Sequence, residues 1–149
     1  MGIIRKLVLT VAGAALVIGA AGAADAANIK GTKKNDNLSG TSKADVIHGN
    51  AGNDTISDGK GADKVYGDAG NDSLQADFDK DVDYFYGGDG SDNINVFDGD
   101  RAFGGPGDDY FNADEKSFVD CGPGRDSVQY YTKKPKTKNC EKVTYAPIG

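Results

Sequence analysis

The sequence predicts a repeat protein assembled from stacked supersecondary units, and three observations carry that prediction. Aspartate returns every ninth residue, at Asp36, Asp45, Asp54, Asp63 and Asp72, and an apolar residue follows each one two places later, at Leu38, Ile47, Ile56, Val65 and Leu74. Nine is a poor multiple of the helical period of 3.6 or the strand period of 2, so neither one amphipathic helix nor one long strand explains the pattern. A unit repeated along the chain does. Beyond residue 27, Leu, Ile, Val and Phe number 20 of 122 residues. That share lies below the roughly 20% at which acidic chains drift towards disorder, so burial alone does not fold this protein.

The chain opens with the pattern of a secretory signal peptide. Arg5 and Lys6 precede an apolar run from Leu7 to about Ala20, and Ala24 and Ala26 supply the small residues of a cleavage site. The expectation is a cleaved Sec-type signal peptide over residues 1–27, cut near Ala26 or Ala27, and a secreted, extracellular protein. The apolar run is shorter than the roughly 20 residues a membrane span needs. No cysteine lies near the cut for lipid attachment. Removing residues 1–27 changes the net charge from -6 to -7, with 15 basic and 22 acidic residues left. Such a chain has no attraction for nucleic acid or anionic lipid, and no second apolar stretch offers a membrane span.

From Gly31 the nonapeptides are GTKKNDNLS, GTSKADVIH, GNAGNDTIS, DGKGADKVY and GDAGNDSLQ, without a gap. An extra Ala76-Asp77 precedes FDKDVDYFY, which restores Asp83 and Phe85 to the two columns, and GGDGSDNIN brings Asp92 and Ile94. VFDGDRAF is one residue short and carries Asp100 and Ala102; GGPGDDYFN is complete, with Asp109 and Phe111. ADEKSFVD is short again, with Ser117 in the carboxylate position, and CGPGRDSVQ ends the array with Asp126 and Val128. Eleven repeats run from Gly31 to Gln129.

These units resemble the hemolysin-type (RTX) calcium-binding repeat, G-G-x-G-x-D-x-U-x. The closest matches are GGDGSDNIN and GGPGDDYFN. The resemblance implies an all-β fold: a parallel β-roll, or right-handed β-solenoid, of about eleven nonapeptide half-coils. In it six residues turn around a calcium ion, three form a short strand, and two repeats complete a coil. The residue chemistry agrees. Glycine permits tight turns in which carbonyls converge, and calcium is a hard ion that takes six to eight oxygens from carbonyls and carboxylates. The residue at position eight points inward and builds a thin core coil by coil.

Two repeats per coil put odd and even repeats on opposite edges, with each ion between a turn and the turn two repeats later. From the third repeat on, the odd edge keeps its glycines and carboxylate: Gly49, Gly52 and Asp54; Gly67, Gly70 and Asp72; Gly87, Gly90 and Asp92; Gly104, Gly107 and Asp109; then Gly122, Gly124 and Asp126. The even edge has one good turn, Gly59, Gly61 and Asp63, while Lys43, Asp81, the shortened FDGDRAF and the Asp-less EKSFVD spoil the others. The expected cofactor is therefore several Ca2+ ions. About four lie on the odd edge, between Asp54 and Asp72, Asp72 and Asp92, Asp92 and Asp109, and Asp109 and Asp126. Asp45, Asp63 and Asp83 are the candidate ligands of the even edge.

The expected boundaries are a signal peptide at 1–27, an N-terminal cap with the first repeats at 28–48, the calcium-binding roll at 49–129, and a C-terminal cap or tail at 130–149. Lys33, Lys34 and Lys43, standing where the repeat prefers glycine or neutral residues, suit a cap. The stretch DFDKDVDYFYGG opens like an EF-hand loop but has Val82 where that loop needs Gly and Gly88 where it needs Glu, so it reads as an acidic bulge. Cys121 and Cys140, an even pair in an exported chain, predict a disulfide that pins the C-terminal cap.

Catalysis finds little support. His48 is the only histidine and sits at position nine of a repeat, which leaves no place for a Ser-His triad or a two-His zinc site. The repeat period already accounts for the aspartates, so no carboxylate pair stands out for glycoside hydrolysis. The sequence reads as a non-enzymatic, monomeric, secreted calcium-binding protein folded by calcium. The alternative is a surface or matrix protein that presents a calcium-rigidified face to glycans or the cell envelope. Tyr84, Tyr86, Phe97, Phe103, Tyr110, Phe118, Tyr130 and Tyr131, with the basic Lys133, Lys134, Lys136 and Lys138, would supply that face.

Overall fold

The computed structural model describes residues 16–18 and 26–147. Most of the expected signal peptide lies outside the described residues. Within it β1 (Leu16–Ile18), parallel to β3, and residues 26–27 are placed.

Fifteen strands form among the described residues, alternating between two parallel sheets. The eight-stranded sheet takes the odd strands in chain order: β1, β3 (Asn37–Ser39), β5 (Thr55–Ser57), β7 (Ser73–Gln75), β9 (Asn93–Val96), β11 (Tyr110–Ala113), β13 (Ser127–Tyr130) and β15 (Lys142–Tyr145). The seven-stranded sheet takes β2 (Asn28–Lys30), β4 (Val46–His48), β6 (Lys64–Ala69), β8 (Tyr84–Asp89), β10 (Arg101–Phe103), β12 (Phe118–Asp120) and β14 (Lys136–Lys138). Each strand pairs with the strand two places on, so this is the predicted β-solenoid, with about seven turns.

Register follows from the apolar column. Ile56 pairs with Leu74, Leu74 with Ile94, and Phe111 with Val128 in one sheet; Ile47 pairs with Val65, Val65 with Phe85, and Phe85 with Ala102 in the other. Every one of these side chains is fully buried. A one-residue slip would turn the whole column outward, which is why a strand of only three residues holds its place.

Strand pairing runs on beyond residue 129. Residues 130–149, expected as a cap or tail, contribute β14 and β15, which pair in register with β12 and β13. Thr137 and Val143 take the inward positions there but stay partly exposed, so this last coil closes the stack with a weaker core. The predicted disulfide is present, joining Cys121 at the end of β12 to Cys140 just before β15, with a Cα separation of 5.2 Å. Residues 28–48 likewise form regular coils, with Ile29, Leu38 and Ile47 buried.

Candidate metal centre

The carboxylates at position six lie inside the edges of the roll, within 4% of full burial from Asp36 to Asp126. On the odd edge they form a continuous ladder. The Asp36 N–H donates to Asp54 Oδ1 at 2.7 Å, Asp54 N–H to Asp72 Oδ1 at 2.7 Å, and Asp72 N–H to Asp92 Oδ1 at 2.8 Å. Asp92 N–H then donates to Asp109 Oδ1 at 2.9 Å, Asp109 N–H to Asp126 Oδ1 at 2.8 Å, and Asp126 N–H to Glu141 Oε2 at 2.8 Å. One oxygen of each carboxylate thus sets the stacking of successive coils.

The other oxygen has no partner. Oδ2 of Asp54, Asp72, Asp92, Asp109 and Asp126 is buried without a hydrogen bond. Each such group carries the full cost of desolvation unless a cation meets it. The surroundings supply a second acceptor. A Cβ built on Gly87 would collide with Asp92 Oδ2 and with the Gly104 carbonyl, and the same pair of oxygens recurs at Gly49, Gly67 and Gly104. The first glycine of these four odd repeats therefore keeps open a space between a carboxylate oxygen and the carbonyl of the next coil. The glycine at position four answers a different need: Gly90 has φ +133° and its missing Cβ would strike the Gly70 carbonyl, so both backbone sign and space require glycine.

The first two repeats differ at this oxygen. Asp36 Oδ2 accepts from the Thr32 N–H and hydroxyl. Asp45, expected among the even-edge ligands, has both oxygens engaged: Oδ1 by the Ala27 N–H at 2.6 Å, Oδ2 by the Thr41 N–H at 2.6 Å and hydroxyl at 2.9 Å. Threonine at position two replaces a cation with two hydrogen-bond donors, which separates Asp45 from the other candidates.

The even edge changes character along the chain. In the structure the place equivalent to position one there, two residues beyond the inward apolar residue of β7, β9 and β11, holds Ala76, Val96 and Ala113, all buried, so side chains fill the space that glycine leaves open on the odd edge. Asp100 Oδ2 accepts from the Phe97 N–H at 3.0 Å, and Ser117 donates its hydroxyl to Asp114 at 2.7 Å. Around the fourth repeat the reverse holds: Asp58, Asp63 and Asp83 each offer an oxygen, all within 4.8 Å of one another. Asp63 and Asp83 were expected; Asp58 was not. Its signal is an aspartate in a column otherwise made of Gly40, Ala76, Val96 and Ala113.

Electrostatics follow burial. Desolvation pushes the carboxyls of Asp54, Asp72, Asp92 and Asp109 up to about 6 against the pull of the backbone N–H groups they accept. It pushes Asp63 and Asp100 to about 7 and, with the charge of Asp83 beside it, Asp58 to about 8. Rows of buried carboxylates with open oxygens and convergent carbonyls are what a hard cation such as calcium takes as ligands. Asp54, Asp72, Asp92 and Asp109, with the carbonyls of Gly67, Gly87, Gly104 and Cys121, would hold it on the odd edge.

His48 stacks on Tyr66 at 4.5 Å and places Nδ1 3.0 Å from Asp68 Oδ2, on the outer face of the seven-stranded sheet. Among the described residues no helix is long and apolar enough to cross a membrane.

Comparison with curated proteins and with solved structures gave no match. The RTX calcium-binding nonapeptide repeat family matches in four overlapping or separate copies, over residues 30–57, 39–74, 48–82 and 97–115. Those copies fall on coils whose aspartates and glycines build the two edges, so the chain carries the RTX calcium-binding nonapeptide repeat.

Proposed function

We propose that this protein is a secreted calcium-binding β-roll whose folding is driven by the ions it binds. The observation that carries the reading is the row of unpartnered Oδ2 atoms from Asp54 to Asp126. Four coils in succession bury a carboxylate oxygen beside a carbonyl and supply no donor between them. Calcium bound there supplies the missing positive charge. The protein's own part is to hold the oxygens in place, through the N–H to Oδ1 ladder, and to keep the space clear with glycine.

The test is calcium titration of the full chain by calorimetry together with far-ultraviolet circular dichroism. Several calcium equivalents and a β signal that disappears in chelator are expected. Asp72→Ala should lower the stoichiometry, whereas Asp100→Ala should not, because Asp100 Oδ2 already has the Phe97 N–H. An unchanged β signal in chelator, or equal losses from the two variants, would sink the reading.

A second reading, a surface protein that grips glycans, draws on one observation. His48, Tyr66, Tyr86 and Phe103 stack in a ladder on the outer face of the seven-stranded sheet, with successive centroids 4.5, 4.8 and 5.0 Å apart. Aromatic faces in a row suit the apolar faces of sugar rings. Retention on polysaccharide columns that Tyr66→Ser and Tyr86→Ser leave intact would count against it.

A further inference from the structure

Asp58 is out of place by every rule that organises the roll. It follows β5, in the inward column that holds Gly40, Ala76, Val96 and Ala113 elsewhere on the even edge, and it is fully buried. Burying a carboxylate in an apolar column is costly unless it is paired, and no cationic side chain pairs with Asp58 among the described residues. Its nearest ionisable neighbours make the cost worse, for they are the carboxylates of Asp63 and Asp83. Asp63 is fully buried too, and Oδ2 of both Asp58 and Asp63 lacks any hydrogen-bond partner.

The first oxygens are all committed elsewhere. Asp58 Oδ1 accepts from the Asp77 N–H at 2.8 Å, Asp63 Oδ1 from the Asp45 N–H at 2.5 Å, and Asp83 Oδ1 from the Asp63 N–H at 2.7 Å. The surrounding acidic loop is fastened to the same turn: Asp79 Oδ2 accepts from the Gly61 N–H at 2.9 Å. That loop owes its length to the inserted Ala76-Asp77, which lengthens the step from Asp63 to Asp83 to 20 residues where Asp45 to Asp63 is 18.

We propose that Asp58, Asp63 and Asp83 form a second class of calcium site, built from three carboxylates and filled before the glycine-lined sites of the odd edge. It rests on the calcium-binding reading above. The odd-edge sites set one open carboxylate oxygen beside a neutral carbonyl, whereas this site brings three carboxylates together, and ligand charge is one of the two factors that tune calcium affinity over several decades. Its occupation would also order the Asp77–Asp83 loop, whose backbone is tied to Asp58.

Two experiments on the full chain test this. Calorimetric titration of the calcium-free protein with calcium chloride should show a tight step of one equivalent ahead of the remaining ions. Asp58→Asn, which keeps the acceptor for Asp77, should weaken that step by about tenfold or more and leave the later steps in place. A tight step of unchanged affinity in Asp58→Asn overturns the proposal. The second experiment needs no variant: hydrogen exchange of the wild type at one calcium per chain. Amides of residues 58–63 and 77–83 should slow before those of 87–92 and 104–109, and simultaneous or reversed protection overturns the proposal. Protection of the odd edge alone would leave calcium binding itself standing, while no protection at any calcium concentration would remove both.

Discussion

Removing calcium while varying pH sets the buried carboxylates against the core. Asp54, Asp72, Asp92 and Asp109 each move from an ordinary value of 3.8 to about 6 in the folded roll, chiefly through burial. A folded-state value above the unfolded one means that ionisation opposes folding. The penalty is absent below about pH 4, grows between the two values, and is complete above about pH 6 to 7. At about 1.4 kcal/mol for each tenfold change, one such group costs at most roughly 3 kcal/mol, and because each shift includes its neighbours' charge and is partly screened by solvent, the four together cost less than four times that, on the order of 10 kcal/mol at most. That equals the whole stability of an ordinary small domain, about 5 to 15 kcal/mol. Calcium at about a hundredfold its dissociation constant contributes about 2.7 kcal/mol per site, or about 11 for four sites, which cancels the penalty. Circular dichroism in calcium-free buffer should therefore show little β structure at about pH 8 and more as pH falls through about 6. In calcium the β signal should persist at pH 8, and the calcium midpoint should rise as protons compete below about pH 7. Full β signal at pH 8 without calcium, or a calcium midpoint independent of pH, would refute the reasoning.

Gly87→Ala should lower calcium stoichiometry by one in calorimetry while the β signal in excess calcium persists, because its Cβ enters the space between Asp92 Oδ2 and the Gly104 carbonyl without a left-handed backbone to strain. Gly90→Ala adds a left-handed backbone to a clash with the Gly70 carbonyl, so its thermal midpoint in calcium should fall well below that of Gly87→Ala. Reduction of the Cys121–Cys140 bridge, or Cys140→Ser, should lower stability by about 3 kcal/mol in calcium-saturated denaturant titrations, as a loop of 19 residues implies. Thr41→Val should lower the calcium-saturated thermal midpoint, since it removes the hydroxyl donated to Asp45 Oδ2.

Much of the fold was legible because one period governs it. Leu74 lies over Ile56 and Ile94 in the structure as the nine-residue spacing places them, and the odd and even aspartates separate to the two edges. What was not legible depends on single side chains. Nothing in the nonapeptide pattern marks Thr32 and Thr41, yet their hydroxyls occupy the oxygens that later repeats leave open. The lysines of those repeats drew the eye to a cap, whereas the decisive atoms are two Oγ1. The final coil carries no sequence mark of a repeat, because Thr137 and Val143 stand outside the run of aspartates and buried apolar residues that marks one.

The asymmetry of the roll comes down to the residue at position one. Glycine there leaves a carboxylate oxygen facing a carbonyl, and the turn needs a cation. Ala76, Val96 or Ala113 fills the same space with carbon, and on that edge Asp100 Oδ2 finds its partner in the Phe97 N–H. Asp58 does neither: it fills the space with another negative charge. Carbon at position one transfers stability from metal to core, and this happens on the even edge from Ala76 onward, while the odd edge stays open through Gly104. Coils in the second half of the array therefore carry metal sites on one edge and ordinary apolar packing on the other. Such coils keep part of their stability without calcium, whereas the coils around Asp58 and Asp63, which have no apolar plug, hold their ion longest as calcium falls and should be the least stable once every ion has gone.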